Sequence, residues 1–460
     1  MVDAGLIADI RAIVGDAGIV TGDSVRERAD VMGHHMQATT LVRPASTEEV
    51  SAVLALCHAR RQVVVPHGGR TGLVEGTSTT AGDLILSTER LTRIEYTDAP
   101  GRTMRVQAGV TLQNVQEEAD RHGLLFPLDL GGRGSCTIGG NIATNAGGVR
   151  VLRYGMMRAL VLGLEVVLAD GTVLKSLNRM LKNNAGYDLK QMFIGSEGTL
   201  GVITRADLRV FAKPRSTSTA FVACPDFEHF VKLLGVLDSR LGGTLSVFEA
   251  MWPEFYEGTT SKATPNTPLL PYGHGMYGLI ETQGSEPGAD EERLERVLGD
   301  AFEEGLVVDA IVAKSEAETR AIWAAREDPW LIGQQHGATL NFDVSVAIGQ
   351  MEAYLEKLRA AATQRVPGAK VFRFGHIADG NLHVIVAPGR DDAATLHDLE
   401  ALVYGLLREF DGSISAEHGV GIERRHFLGI TRTDHEIAAM RAVKATLDPH
   451  GILNPGKMFE

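Results

Sequence analysis

A chain of 460 residues, 44% hydrophobic and 22% charged, has apolar material for two or three folded domains, which excludes disorder as its default state. Its net charge of −13 argues against a nucleic-acid-binding face, which needs a basic surface, but leaves room for a local basic pocket that takes a small acid. The three cysteines, Cys57, Cys136 and Cys224, are far apart and form no CxxC pair, which argues against a disulfide framework and a cysteine zinc site and points to a reducing compartment, the cytoplasm.

Leu6, Ile10, Ile13 and Val14 recur at helical spacing and predict a short amphipathic helix. That stretch lacks the basic start and apolar block of a secretion signal, and no apolar run approaches membrane-span length, so an integral membrane protein is not expected. Thr47 to Arg61 predicts a helix with Thr47 as N-cap and Val50, Val53, Leu54 and Cys57 as its apolar stripe. Val63 to Val65 predicts a short strand running into Pro66-His67-Gly68-Gly69-Arg70-Thr71-Gly72. A strand feeding a tight glycine turn cradles phosphates with its backbone N–H groups. It is neither a P-loop, since no Gly-Lys-Ser/Thr follows, nor a G-x-G-x-x-G fingerprint. His67 alone reads as structural. Strands are expected over Leu84 to Ser87, Met104 to Ala108 and Gly163 to Leu168, the last closed by Ala169-Asp170-Gly171, and a helix over Thr111 to His122.

Pro127 to Gly155 (PLDLGGRGSCTIGGNIATNAGGVRVLRYG) is dense in glycine, small hydroxyl residues and asparagine, and holds no acidic residue after Asp129. As tight turns that bind nothing, so many glycines would be costly to order. The expectation is a loop lying along a pyrophosphate-containing cofactor. Lys182 to Leu189 and Phe193 to Ile203 make a third such run, again ending in a strand. Three glycine loops in one half converge better on one large ligand than on three small ones.

A composition shift at Lys213-Pro214-Arg215 opens a second region. Strands such as Thr219 to Val222, Gly275 to Glu281 and Ala369 to Phe374, with helices over Pro225 to Leu241 and Ala289 to Glu304, predict an α+β layer with helices on one face. Pro253 to Tyr272, rich in Pro, Thr and Gly, reads as a long loop beside the site. His376 and His383 flank an Asp379-Gly380 turn, and a hairpin there brings both onto one side. Ser415 to Gly419 adds Glu417 and His418. A lone histidine is usually a satisfied structural group; two His and a Glu are a divalent-metal set with open positions. His418 beside it is placed to act as a base. The tail Leu447 to Lys457 reads as a turn-rich clasp. A metal-dependent hydrolase with structural glycine loops is the competing reading of the same residues.

The motifs PHGGRTGLVEG, PLDLGGRGSCTIGGNIATNAGG, RYGMMRALVLGLEVVLADG, KNNAGYDLKQMFIGSEGTLG, GHIADGNLH, SAEHGVG and DPHGILNPGK run nearly end to end. Together they resemble the FAD-dependent 2-hydroxyacid dehydrogenases of the vanillyl-alcohol-oxidase fold, most closely the D-2-hydroxyglutarate dehydrogenase branch, with D-lactate dehydrogenases and glycolate oxidase flavin subunits as cousins. The resemblance implies an α+β protein: a two-subdomain PCMH-type FAD-binding domain over residues 1–213, a substrate-binding cap over 214–400, and a C-terminal segment, 401–460, returning to the FAD domain. It implies that Pro66, His67, Gly68, Gly69, Arg70, Thr71, Gly72 and Leu73 wrap a non-covalent FAD. Pro127, Leu128, Asp129, Ser135, Thr137, Ile138, Gly139, Gly140, Asn141, Thr144, Asn145, Gly147, Gly148 and Tyr154 would join them. Glu197, Gly201 and Ile203 would reach the adenine side, and Asn454 would help hold the ring. His376, His383 and Glu417 match the family's metal ligands, for zinc or manganese. His418 matches its catalytic base, and Arg326 an arginine that clamps the substrate carboxylate, a role suited to a planar bidentate donor. The implied reaction is oxidation of a D-2-hydroxy acid to the 2-oxo acid, with hydride passing to flavin N5. Electrons would go on to a separate carrier such as an electron-transfer flavoprotein or a quinone, and a homodimer fits the resemblance.

Two positions depart from the hydroxyglutarate pattern. Where that branch has K-Y-D-x-S-x-P, this chain reads Asn341-Phe342-Asp343-Val344-Ser345-Val346-Ala347. Two residues past His383, where asparagine is frequent, stands Ile385. Both lost groups are associated with gripping acid groups, so Asn341 and Ile385 predict a substrate with a less polar side chain than hydroxyglutarate.

Overall fold

The computed structural model describes residues 2–459, which fall into two compact units. One comprises residues 2–148, 154–213 and 417–459; the other, 149–153 and 214–416. One break follows Lys213, at the composition shift. The second follows Ala416 rather than residue 400. The reason is local: Tyr354 OH donates to Val403 O at 3.2 Å, and Ser345 exchanges backbone hydrogen bonds with Ser413 at 3.1 and 2.8 Å. These tie the helix Ala393–Leu406 and the segment behind it to the middle region.

In the first unit, Ile19–Thr21, Thr40–Val42, Leu84–Ser87 and Val64–His67 form a sheet in that order, the last three parallel. Ile94–Asp98, Thr103–Gln107, Val202–Arg209, Val161–Val167 and Val173–Ser176 form a second, antiparallel sheet. The predicted amphipathic helix spans Ala4–Val14 and buries Leu6, Ile10 and Val14. The helix Thr47–Arg60 is capped by Ser46, not Thr47. Ser46 Oγ accepts from Glu49 N at 3.2 Å, while the Thr47 hydroxyl donates to the buried Glu165 carboxylate at 2.6 Å. Thr204 Oγ1 donates to the same oxygen at 2.9 Å, so a charge inside the sheet is satisfied from both sides. The C-terminal clasp extends the parallel sheet: Val64 N donates to Ile452 O at 2.8 Å and Asn454 N to Val64 O at 2.9 Å.

The second unit is built on an antiparallel sheet in the order Asp309–Val312, Ser216–Cys224, Met276–Gly284, Leu245–Met251, Lys370–Gly375, Asn381–Ala387, Leu340–Ser345. The expected single helical face is wrong; both faces are covered. Side chains alternate along a strand. Val247 and Met251 pack with Phe255, Tyr256, Ile322 and Ala325 on one face. Phe248, of opposite parity, stacks on Phe230 of the helix Phe227–Arg240 at 4.5 Å. That is why Ser216–Cys224 and Leu245–Met251 are buried at nearly every position rather than at alternate ones. Pro253 to Tyr272 is not one loop either. Pro253–Thr260 is a helix, with Pro253 in its first turn, where no N–H partner is needed, and Phe255, Tyr256, Thr259 and Thr260 buried. Among the described residues no helix is long and apolar enough to cross a membrane.

Candidate active site

Two of the glycine runs interlock within the first unit. A Cβ at Gly69 would overlap the Ser135 carbonyl, and one at Gly68 would lie 2.5 Å from Thr137 Oγ1, so only glycine lets these chains approach. The third run leans on the first: Gly198, at φ +72°, faces the Pro66 ring. Among the described residues, the N–H groups of Gly68 through Gly72 take no acceptor from the chain, although the turn is largely half-buried. Buried backbone donors are nearly always paired, so a row of them fits an anionic ligand. A Cβ at Gly72 would meet nothing within 4 Å.

Other predicted cofactor residues shape the loops. Thr137 caps the short helix Ile138–Ala143, whose first N–H groups, on Ile138 and Gly139, donate to Val110 O and Ala108 O at 2.9 and 2.8 Å. Asn141 Nδ2 reaches Cys136 Sγ, Thr144 Oγ1 donates to Gly140 O, and Asn145 Oδ1 accepts from Arg158 N at 2.9 Å. Pro127 and Leu128 are buried, and Asp129 lies 3.4 Å from Arg133. Tyr154 packs edge-on against Phe211. Ile203 is core, and Gly201 makes room for Val166.

His67 is buried with Nε2 2.9 Å from Thr77 O, and burial pushes its pKa down to about 3. A neutral imidazole donating to a carbonyl is a structural group, as the sequence implies. Glu197 sits at φ +52° and is nearly buried. Its carboxylate accepts from Val420 N at 2.7 Å and Gly421 N at 2.8 Å, so its side chain anchors the returning segment. Burial raises its pKa, against the opposing pull of those two N–H groups and Arg424. Asn454 donates to Gly76 O and Glu197 O, and its buried Oδ1 has no partner. The N–H row and this orphan acceptor both fit a large polar cofactor such as FAD.

In the second unit the β-turn with Gly380 in the left-handed region closes the hairpin Lys370–Gly375/Asn381–Ala387. It brings the His376 and His383 rings to 5.2 Å, with ligand nitrogens within 4.8 Å. The Phe374 ring centre lies 4.9 Å from that of His383 and 4.6 Å from the Arg326 guanidinium. Sequence reasoning missed the residue behind them. Glu249 is fully buried; its Oε2 accepts from Arg326 Nε at 2.7 Å and its Oε1 contacts His376 Nδ1. Burial would raise its pKa, but His376, then Arg326, hold it down to about 2. The available signal was an acidic residue inside a mostly apolar strand, Leu245–Met251. The buried Asp343 carboxylate lies 3.9 Å from His383 Nδ1. Asn341 and Ile385 are register partners, Asn341 exposed and Ile385 buried in the apolar core. Ala416 N donates to Asp343 O at 3.3 Å, and the chain then passes directly into Glu417 and His418, the opening residues of the other unit's C-terminal segment. A Glu417 oxygen and a His418 ring nitrogen lie within 4.8 Å of each other.

Residues 38–176 match the family model of an FAD binding domain, and residues 213–458 that of the C-terminal domain of FAD linked oxidases. The chain is 41% identical to the mitochondrial D-2-hydroxyglutarate dehydrogenase of Bos taurus, over 91% of this chain and 76% of that one. It is 39% identical to the D-2-hydroxyglutarate dehydrogenase of Xanthomonas citri, over 91% and 88%. It is 34% identical to a D-2-hydroxyglutarate–pyruvate transhydrogenase of Saccharomyces cerevisiae, over 99% and 95%. The solved structure of p-cresol methylhydroxylase shares the fold, with a TM-score of 0.76 at 17% identity over 99% of this chain and 97% of that one. The chain therefore belongs to the FAD-linked oxidases, as an FAD-linked hydroxyacid dehydrogenase.

Proposed function

We propose that this protein oxidises a D-2-hydroxy acid whose side chain is less polar than that of hydroxyglutarate, giving the 2-oxo acid. The reaction class rests on the grouping of Arg326, His376 and His383 around Phe374, and the less polar side chain on Asn341 and Ile385. FAD supplies, when bound, the acceptor for the hydride from C2, and a divalent metal, zinc or manganese, supplies a Lewis acid for the 2-hydroxyl. His376 and His383 would hold the metal, with Glu417 the third ligand that the resemblance implies; the Glu249 carboxylate at His376 Nδ1 is the arrangement that leaves Nε2 for a cation. Arg326 binds the substrate carboxylate. His418 takes the hydroxyl proton on a ring nitrogen. The electron acceptor would be a separate carrier, an electron-transfer flavoprotein or a quinone. The three buried free cysteines support a reducing compartment such as the cytoplasm.

The 41% identity to a D-2-hydroxyglutarate dehydrogenase favours hydroxyglutarate itself as a second reading. A dye-linked screen of D- and L-lactate, malate, hydroxyglutarate and branched or aromatic 2-hydroxy acids tests both. Highest turnover with a D-acid carrying an apolar side chain supports the first; a clear preference for D-2-hydroxyglutarate supports the second; no flavin reduction by any D-acid ends both. His376→Ala and His383→Ala are each expected to abolish turnover with FAD still bound, and retained activity in both removes the metal role.

A further inference from the structure

We propose that Glu249 is a positioning residue that sets the metal-binding His376 and the carboxylate-binding Arg326 as one rigid pair, so that together they read the 2-hydroxycarboxylate head of any substrate. The inference rests on the function proposed above.

Glu249 lies mid-strand, in register with Leu279, and shares its sheet face with the fully buried Val247 and Met251. An acidic side chain in such surroundings stays ionised only if both oxygens are taken. They are: His376 Nδ1 meets one and Arg326 Nε the other. Each contact orients the far side of its partner. A donor Nδ1–H fixes the tautomer in which Nε2 carries the lone pair, the form that ligates a metal. An arginine held through Nε keeps its guanidinium plane fixed and directs its Nη groups outward, where they can grip a carboxylate in bidentate fashion. The ring of Phe374 packs under the guanidinium, at 4.6 Å.

A 2-hydroxy acid carries its hydroxyl and carboxylate on adjacent carbons, at a spacing no side chain changes. One carboxylate that ties the hydroxyl's metal ligand to the carboxylate's arginine holds the two recognition points at that spacing. Loss of Glu249 therefore weakens all D-2-hydroxy acids by one common factor. A residue that contacted the side chain would weaken them unequally.

The test uses the FAD-loaded full chain as Glu249→Gln. The carboxamide has one acceptor oxygen where two donors need one, so His376 or Arg326 loses its partner. The expected result is parental FAD content, about 10–100-fold weaker zinc binding in chelator competition, and KM raised by the same factor for D-lactate and D-2-hydroxyglutarate. Parental zinc affinity and KM, or KM changes that differ between the two acids, would overturn the inference. Glu249→Asp carries the same test if the Gln variant does not fold, since it keeps the buried charge. Unfolding of both would assign Glu249 to the core and also overturn the inference. A parent enzyme that binds no zinc and ignores chelators would instead remove the metal from the proposed function.

Discussion

Asn341 stands directly across from Ile385 on neighbouring antiparallel strands. The two departures from the hydroxyglutarate pattern are therefore one local change, two residues along the same sheet face from Asp343 and His383. Position 341 is exposed and position 385 is core, so the two do not contribute alike. A charge at 341 works through solvent and is worth at most about 1 kcal/mol. Asn341→Lys is expected to raise kcat/KM for D-2-hydroxyglutarate about fivefold relative to D-lactate, measured with an artificial dye. An unchanged ratio would take this position out of substrate recognition.

Gly69 and Gly72 stand in one turn but face different surroundings. Gly69→Ala pushes a methyl into the Ser135 carbonyl and is expected to lower both the melting temperature and the flavin content. Gly72→Ala meets no protein atom. It should leave the melting temperature of the apoprotein unchanged while weakening FAD retention in gel filtration. Equal effects of both substitutions on the apoprotein would mean that the turn serves packing alone.

His67 makes stability depend on pH. Its folded pKa, about 3, lies below its unfolded value, so the unfolded chain binds a proton first as pH falls. Stability is lost between about pH 6.5 and pH 3, at most about 5 kcal/mol over that window. Gln can keep a donor to Thr77 O without titrating. Urea unfolding of His67→Gln is expected to show a shallower acid loss than the parent, and parallel curves would contradict this.

Tyr256 closes the stretch after its own helix: its hydroxyl accepts from Leu269 N at 2.7 Å and Leu270 N at 2.9 Å and donates to Leu270 O at 3.0 Å. Tyr256→Phe strands one buried and one half-buried donor and is expected to cost about 2 kcal/mol, read as a lower denaturant midpoint at unchanged slope.

The glycine runs, the histidine hairpin and most strands were legible because their information is local: a turn needs glycine where the chain crosses itself, and a strand needs its neighbours apolar. Residues whose role depends on a distant partner were not. Thr47 looks like an N-cap, yet its hydroxyl serves Glu165, 118 residues away. Glu249 is one acidic letter in an apolar strand, and its meaning appears only when Arg326 and His376 arrive from other elements. Val149 to Arg153 reads as the end of the second glycine run. Arg150 instead pairs with Glu281 at 3.1 Å and Arg153 with the Gln283 carbonyl, so these residues join the second unit.

The pairing of Ile452 and Asn454 with Val64 also governs when this protein becomes competent. Asn454 bonds the Gly76 carbonyl across 378 residues of sequence. During synthesis the strand that leads into the first glycine turn keeps an open edge until that late segment leaves the ribosome. Contacts so far apart in sequence form late and slowly. Until Ile452 to Asn454 pair with it, the edge of the strand Val64–His67 is open to edge-to-edge association.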